Sequence, residues 1–190
     1  MKKKIITRFP AFAMTALCAA FLFTSASAKE NPKLTDPEIA SVAVVANQGD
    51  IGFAEIAKKK SKDADVLKFA ETMASDHKAV IDQAVALVTR LHVSPKDNAV
   101  SQKMTADAAK TRKMLNSKSG AAFNKAYIDN EVAYHKAVIS AVETLLIPQA
   151  QNADLKALLE KVVPTLKAHL AHAEMVQSNY KGNGGHMGKM

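Results

Sequence analysis

The sequence predicts an all-α protein, an up-down four-helix bundle with a long helical connection between the second and third bundle helices. Apolar residues recur at alternating steps of three and four, the spacing of a helix face that packs into a bundle core. Four such segments of about 25 residues are separated by polar, proline-containing or glycine-containing breaks. No stretch alternates apolar and polar residues between hairpin turns, so strands are not expected.

The first predicted helix begins at Thr35 and continues to about Lys60. Thr35 and Glu38 form the pattern of a capping box around an early proline. Gly49 and Gly52 lie one turn apart within this helix, although a glycine there costs about 1 kcal/mol relative to alanine. Two explanations fit this pair: a close approach of a neighbouring helix, or space left for a ligand or a bulky side chain.

The second predicted helix begins near Asp63 and ends near His92, before a polar segment that contains a proline. One apolar seam runs along its whole length, and a histidine occupies one position of that seam. The seam consists of Val66, Ala70, Met73, His77, Val80, Ala84, Leu87 and Leu91. We therefore expect His77 to face the core.

A shorter, polar helix is predicted over residues 99–116 and is interpreted as a crossover. The third bundle helix covers residues 121–147 and is expected to stop at Pro148, and the fourth begins near Asn152. Both carry a histidine on the apolar seam, His135 and His169. The crossover makes the second and third bundle helices parallel, the arrangement of ferritin-like bundles.

The first 28 residues have the features of a signal peptide. Four basic residues precede an apolar run from Phe9 to Phe23, and Ala26-Ser27-Ala28 supplies small residues at a cleavage site. We expect cleavage after Ala28 and export to the periplasm. The run is shorter than the roughly 20 residues of a membrane span. No later stretch approaches that length, so no transmembrane segment is expected in the mature chain.

The predicted domain plan is a signal peptide over residues 1–28, a linker over 29–34, the bundle over 35–180 and a glycine-rich, disordered tail over 181–190. The one cysteine, Cys18, lies in the signal, so no disulfide or thiolate ligand is expected after cleavage. The net charge is +8, of which the signal carries +4, leaving 8 − 4 = +4. Without a large basic face, no nucleic-acid binding is expected. Both a monomer and a homo-oligomer fit, and no partner is predicted.

Three histidines thus occupy apolar seams on three different helices. His77 and His135 each lie 14 residues after the start of their predicted helices, so parallel helices bring both to one level. The fourth helix folds back and places His169 roughly 7 Å above His135, at a rise of 1.5 Å per residue. The predicted polar centre consists of Asp76, His77, Glu131, His135 and His169, with Asp129 nearby.

Two hypotheses fit this centre. Neutral imidazoles and carboxylates are ligands for Fe, Zn, Mn or Cu, and bundle cores hold such sites. The chain would then be an exported bundle protein that binds a transition metal through these six residues. Alternatively, the histidines form a structural hydrogen-bond network in a non-enzymatic envelope stress or interaction protein.

A standard di-iron oxidase site is not expected. That site needs a glutamate three residues before a histidine on each of two helices. The residues three before His77 and His135 are Ala74 and Val132. No Gly-x-Ser-x-Gly elbow or phosphate-binding loop is present either, so the sequence favours a protein without enzymatic activity and leaves an oxygen-handling oxidase as the weakest alternative.

Three segments carry a resemblance to a known bacterial family. They are Met73…Asp76-His77, Tyr127-Ile128-Asp129…His135 and Pro164…His169-Leu170…Ala173. At these residues the chain resembles DUF4142, an exported family of unknown function that is grouped with the ferritin-like bundles. The resemblance covers about residues 35–180 and implies a ferritin-like fold, with no demonstrated activity.

Overall fold

The structure, a computed structural model, describes residues 32–183, with side chains for residues 32–180. This part of the chain is helical and contains no strand, which confirms the predicted all-α class. Its elements are α1 (Asp36–Lys60), α2 (Ala64–Arg90), α3 (Ala99–Asn116), α4 (Gly120–Ala141), a π-helical segment (Val142–Leu146), α5 (Ile147–Gln149) and α6 (Ala153–Asn183). Among them, no helix combines the length and apolar character needed to cross a membrane. The predicted signal peptide and residues 184–190 of the predicted tail lie outside the described residues.

The first two helices begin where their capping residues predict. The Glu38 carboxylate accepts hydrogen bonds from the Thr35 backbone N–H at 3.0 Å and the Thr35 hydroxyl at 2.8 Å. The Asp63 carboxylate accepts from the backbone N–H groups of Asp65 and Val66, both at 3.1 Å. Each cap satisfies backbone donors that the helix leaves unpaired and contributes about 1 kcal/mol.

The crossover runs parallel to α1 along its full length. At one end the Lys96 N–H donates to the Pro37 carbonyl at 2.9 Å, and at the other the Lys60 ammonium donates to the Leu115 carbonyl at 3.3 Å. This returns the chain to the end where α2 began, so α4 runs parallel to α2, as predicted. Ala108 and Leu115 are buried, so α3 also contributes one apolar face to the core.

The predicted stop at Pro148 is two residues early, because the helix continues through α5. A proline ring clashes with the carbonyl four residues before it in a regular α-helix. Here the Ile147 N–H bonds to the Val142 carbonyl, five residues back. This wider π-helical turn accommodates Pro148 near the end of the helix.

Two apolar clusters fill the bundle on either side of a polar layer. One cluster contains Phe53, Phe69, Phe123 and Tyr127, and the other includes Ile39, Leu87, Leu146 and Leu159. Buried polar side chains interrupt the seams between these clusters: Asp50, His77, Glu131, His135 and His169. The fold therefore places the candidate site near the middle of the bundle core.

Gly49 leaves room for a bulky neighbour, the second explanation offered for the glycine pair. A Cβ at Gly49 would lie 2.9 Å from the Tyr134 hydroxyl. That hydroxyl donates to the Ala46 carbonyl at 2.7 Å, so it cannot move away without losing the bond. A Cβ at Gly52 would meet only Arg112, at 3.5 Å.

We expect Gly49→Ala to lower the free energy of unfolding by about 1 kcal/mol, because lost hydrogen bonding and overpacking outweigh the gain in helix propensity. Urea unfolding measures this. Gly52→Ala is the matched control and should be stabilising by up to about 1 kcal/mol, since only propensity changes there. Equal stabilisation by both substitutions would contradict the role assigned to Gly49.

Candidate metal centre

Five buried side chains from four helices meet in the polar layer. Asp50 comes from α1, His77 from α2, Glu131 and His135 from α4, and His169 from α6; the most exposed, His169, is 5% accessible. The His77 ring centroid lies 5.6 Å from that of His135 and 5.2 Å from that of His169. The His135 and His169 centroids are 5.5 Å apart. The three imidazoles therefore converge, as their positions along the helices predict.

One ring nitrogen of His77, Nδ1, has a well-defined hydrogen-bond partner. His77 Nδ1 lies 2.7 Å from Asn47 Oδ1. The Asn47 amide nitrogen donates to the Ala43 carbonyl at 2.7 Å, which orients the amide so that its oxygen faces the ring. Because that oxygen only accepts, Nδ1 carries the hydrogen and Nε2 is the bare nitrogen of the neutral ring.

The other two imidazoles are held in the same manner. His135 Nδ1 lies 3.0 Å from the backbone carbonyl oxygen of Glu131, one turn earlier on α4. His169 Nε2 lies 3.0 Å from Asp76 Oδ2, and the Asp76 side chain is 43% exposed. Both partners are acceptors, so in its neutral form each ring donates outward from one nitrogen and leaves the other bare.

The three bare nitrogens are buried and have no hydrogen-bond partner among the described residues: His77 Nε2, His135 Nε2 and His169 Nδ1. A ligand atom of each ring lies within 4.8 Å of one on each of the others. A ring that donates outward to a carbonyl or carboxylate and presents a lone pair inward is in the form in which histidine binds metals.

Burial keeps the rings of His77 and His135 neutral. It lowers the pKa of His77 to about 3, with smaller contributions from the neighbouring His135 and His169. Burial also lowers the pKa of His135 to about 4, although its bond to the Glu131 carbonyl acts in the opposite direction. Both imidazoles therefore have free lone pairs at neutral pH.

Two buried carboxyl groups adjoin the rings. Asp50 Oδ2 lies 3.3 Å from His77 Nε2 and 3.6 Å from His135 Nε2. Burial raises the pKa of Asp50 to about 8. Burial and the neighbouring Asp50 charge hold the pKa of Glu131 well above its usual value. Without a cation, both carboxyls thus favour their protonated forms.

The structure distributes the six predicted site residues over three positions. His77, Glu131, His135 and His169 lie in the centre, and Asp76 lies at its edge as the acceptor for His169. Asp129 faces away: its carboxylate pairs with Lys125 at 2.5 Å and accepts from the Gln177 amide at 2.8 Å.

Asp50 is the residue that the sequence analysis missed. It lies four residues after Ala46 and three before Phe53, both buried. This is the spacing of residues on the buried face of a helix. The sequence therefore did contain a signal for Asp50, namely an acidic residue on the apolar face of α1.

Two groups of side chains could hold a metal ion. One consists of His77, His135 and His169, and the other of Asp50, Glu131 and His135; in each, the ligand atoms lie within 4.8 Å of one another. His135 belongs to both groups, so they are parts of one centre.

Comparison with known proteins gives one family. A family model described as a domain of unknown function, DUF4142, matches residues 22–176. The matched range includes all five residues of the centre. Comparisons with curated proteins and with solved structures found no significant match.

Proposed function

The chain belongs to the DUF4142 family, whose description assigns no activity, and we propose that this member is a transition-metal-binding protein. One ion is bound by the bare nitrogens of His77, His135 and His169, with the Asp50 carboxylate as the fourth ligand. Three imidazoles and a carboxylate are ligands that Fe, Zn, Mn and Cu all accept. The donor set therefore defines the class of ion rather than a single element.

The arrangement around His135 supports a single ion per chain. Its Nδ1 is bonded to the Glu131 backbone carbonyl, so only Nε2 is available to a metal. Glu131 Oε2 lies 3.6 Å from that same Nδ1, on the outer side of the ring. Glu131 is therefore assigned a positioning role, in which its backbone carbonyl and its side chain both adjoin His135 Nδ1 and orient the imidazole.

The three unpaired inner nitrogens carry the proposal. In a purely structural network, each would need a donor, because an unsatisfied buried polar group costs about 1–3 kcal/mol. A protonated Asp50 has only one hydrogen, yet it faces bare nitrogens of both His77 and His135. Within the described part of the chain, no group donates to His169 Nδ1 either. A cation would bind all three lone pairs at once.

We also propose that the ion is bound in the periplasm. The basic start, the apolar run and Ala26-Ser27-Ala28 predict export. The proposed ligands include no thiolate, so the oxidising conditions of that compartment would not inactivate the site.

Titration of the metal-free protein tests the proposal. We expect one equivalent of Zn²⁺, Mn²⁺, Cu²⁺ or, without oxygen, Fe²⁺ to bind and to raise the melting temperature by mass action. Less than about a tenth of an equivalent of every ion, with no shift in melting temperature, would refute it. Two equivalents bound in the core would contradict the single-ion arrangement.

The outer partner of His169 provides a graded test. Asp76→Ala removes the acceptor of the His169 Nε2–H, and loss of such a partner typically weakens metal binding by about 10–100-fold. The control is His92→Asn, at an exposed site where φ is 53°, a backbone conformation that asparagine tolerates. It should bind zinc as the unmodified chain does. Unchanged affinity in Asp76→Ala would contradict the role of Asp76.

A further inference from the structure

An apolar cavity of about 70 Å³ adjoins the candidate metal centre. Its polar end is formed by Asp50 and the three histidines, and aliphatic side chains of α1, α2, α4 and α6 form most of the remaining wall. On α2 the lining extends from His77 to Val88, roughly 16 Å at 1.5 Å per residue. The cavity thus runs from the centre toward one end of the bundle.

Packing along α2 changes at His77. Four core-facing apolar residues before it are fully buried: Val66, Phe69, Ala70 and Met73 are all 0% exposed. After it Leu87 is still buried, but four other cavity-lining residues are only partly buried: Val80, Ile81, Ala84 and Val88. The cavity therefore occupies the space where this half of α2 does not pack tightly against the bundle.

Two leucines belong to both the cavity wall and a surface groove. Leu87 and Leu158 line the cavity and also line a surface groove between α2 and α6. Polar contacts cross that groove, with Arg90 bonded to Asp154 at 2.8 Å and Lys161 to Gln83 at 3.0 Å. These two side chains therefore mark the place where the wall of the cavity and the wall of the groove coincide.

The volume and the lining define the class of occupant. The cavity is less than half of the roughly 150 Å³ at which an apolar cavity holds benzene. An aromatic ring or an acyl chain is therefore too large. Water needs 2–4 polar partners, which the aliphatic part of the wall does not supply. A diatomic apolar gas is small enough for this volume and needs no hydrogen-bond partner.

We propose that this cavity takes up dioxygen and holds it beside the metal ion. The position beside an ion rests on the proposed function, whereas the occupancy of the cavity does not. The polar end would then present dioxygen to the ion, and the aliphatic walls would concentrate the gas relative to water, where it is poorly soluble.

Methyl relaxation under oxygen pressure tests this directly, because dioxygen is paramagnetic and relaxes the nuclei it approaches. The spectra are recorded on metal-free and on zinc-loaded protein, both diamagnetic, with nitrogen pressure as the reference. We expect several-fold larger enhancements at Val42, Val142 and Leu146, which line the cavity, than at Val66 and Ile128, which are also buried but lie outside it. Equal enhancements at the two sets would overturn the proposal.

A cavity-filling variant separates this inference from the proposed function. Ala84→Leu should remove the enhancement and leave zinc stoichiometry at one, while Ala79→Leu, at an exposed site on the same helix, should change neither. An undiminished enhancement in Ala84→Leu would overturn the cavity as the oxygen site. Zinc binding without selective enhancement would refute only the gas site. Selective enhancement without zinc binding would refute the metal centre and the placement of oxygen beside it.

Discussion

Replacing Asp50 by asparagine is expected to stabilise the metal-free protein and to abolish tight metal binding. Asp50 Oδ2 faces the bare nitrogens of His77 at 3.3 Å and His135 at 3.6 Å. An amide nitrogen at this position has two hydrogens and can donate to both rings. Satisfying these buried acceptors should raise the free energy of unfolding by about 1–2 kcal/mol.

The same substitution removes the only carboxylate in residues 32–180 that faces two of the proposed histidine ligands. A neutral amide no longer offsets the charge of a cation in a buried site, where such charge compensation is worth most. We expect zinc affinity to fall by more than about 100-fold, beyond the loss typical of outer partners. A gain in metal-free stability together with a loss of zinc affinity would assign Asp50 to metal binding rather than to folding.

Urea unfolding with a chelator and zinc titration measure the two effects separately. Asp82→Asn is the matched control, since the Asp82 side chain is 64% exposed on α2, and surface changes usually stay within about 0.5 kcal/mol. If Asp50→Asn lowered the metal-free stability and left zinc affinity unchanged, the structural network would be the correct interpretation of the histidines.

The helical scaffold and the meeting of three histidines were predictable because both depend on periodicity. The seam spacing shows which face of each helix is buried. Equal distances from the helix starts then bring His77 and His135 to the same level, and their ring centroids lie 5.6 Å apart. The position of a residue along a rigid helix can be obtained from the sequence by counting residues from the start of the helix.

The acidic members of the centre were harder to predict. Asp129 and Glu131 are two residues apart, about 200° around a helix, so they cannot both face the core. Glu131 is 0% exposed, whereas Asp129 pairs with surface partners. Asp50 was missed because the site was predicted from helices that carry a histidine on the apolar seam. Since α1 contains no histidine, none of its residues was included in the predicted site. Only the packed structure shows which carboxylate reaches the bare nitrogens.

We expect the free energy of unfolding of the metal-free protein to fall as the pH rises from 6.5 to 8. Burial raises the pKa of Asp50 from 3.8 to about 8. Within that window the folded protein retains a proton that the unfolded chain has released, so stability decreases with increasing pH. Each proton corresponds to about 1.4 kcal/mol per pH unit, which gives roughly 2 kcal/mol for Asp50 over this range, and Glu131 acts in the same direction.

The histidines act in the opposite direction at lower pH. Burial lowers the pKa values of His77 and His135 from 6.5 to about 3 and about 4. As the pH falls below 6.5, the unfolded chain therefore gains protons that the folded protein excludes, and this contribution to stability is lost. The two effects offset each other below pH 6.5, so the decline above that value should be the clearest feature of the profile.

Urea unfolding in chelator at pH 6.5, 7, 7.5 and 8 measures this decline in the free energy of unfolding. The Asp50→Asn variant should show a smaller decline, because it lacks the contribution of Asp50. Zinc should reverse the trend, because binding requires the ionised carboxylate and displaces its proton, so affinity increases as the pH approaches 8. Stability that stayed constant or rose from pH 6.5 to 8 in chelator would show that Asp50 is already ionised in the fold. The buried carboxyl would then be charged without a cation, which would contradict the proposal that this centre binds a metal ion.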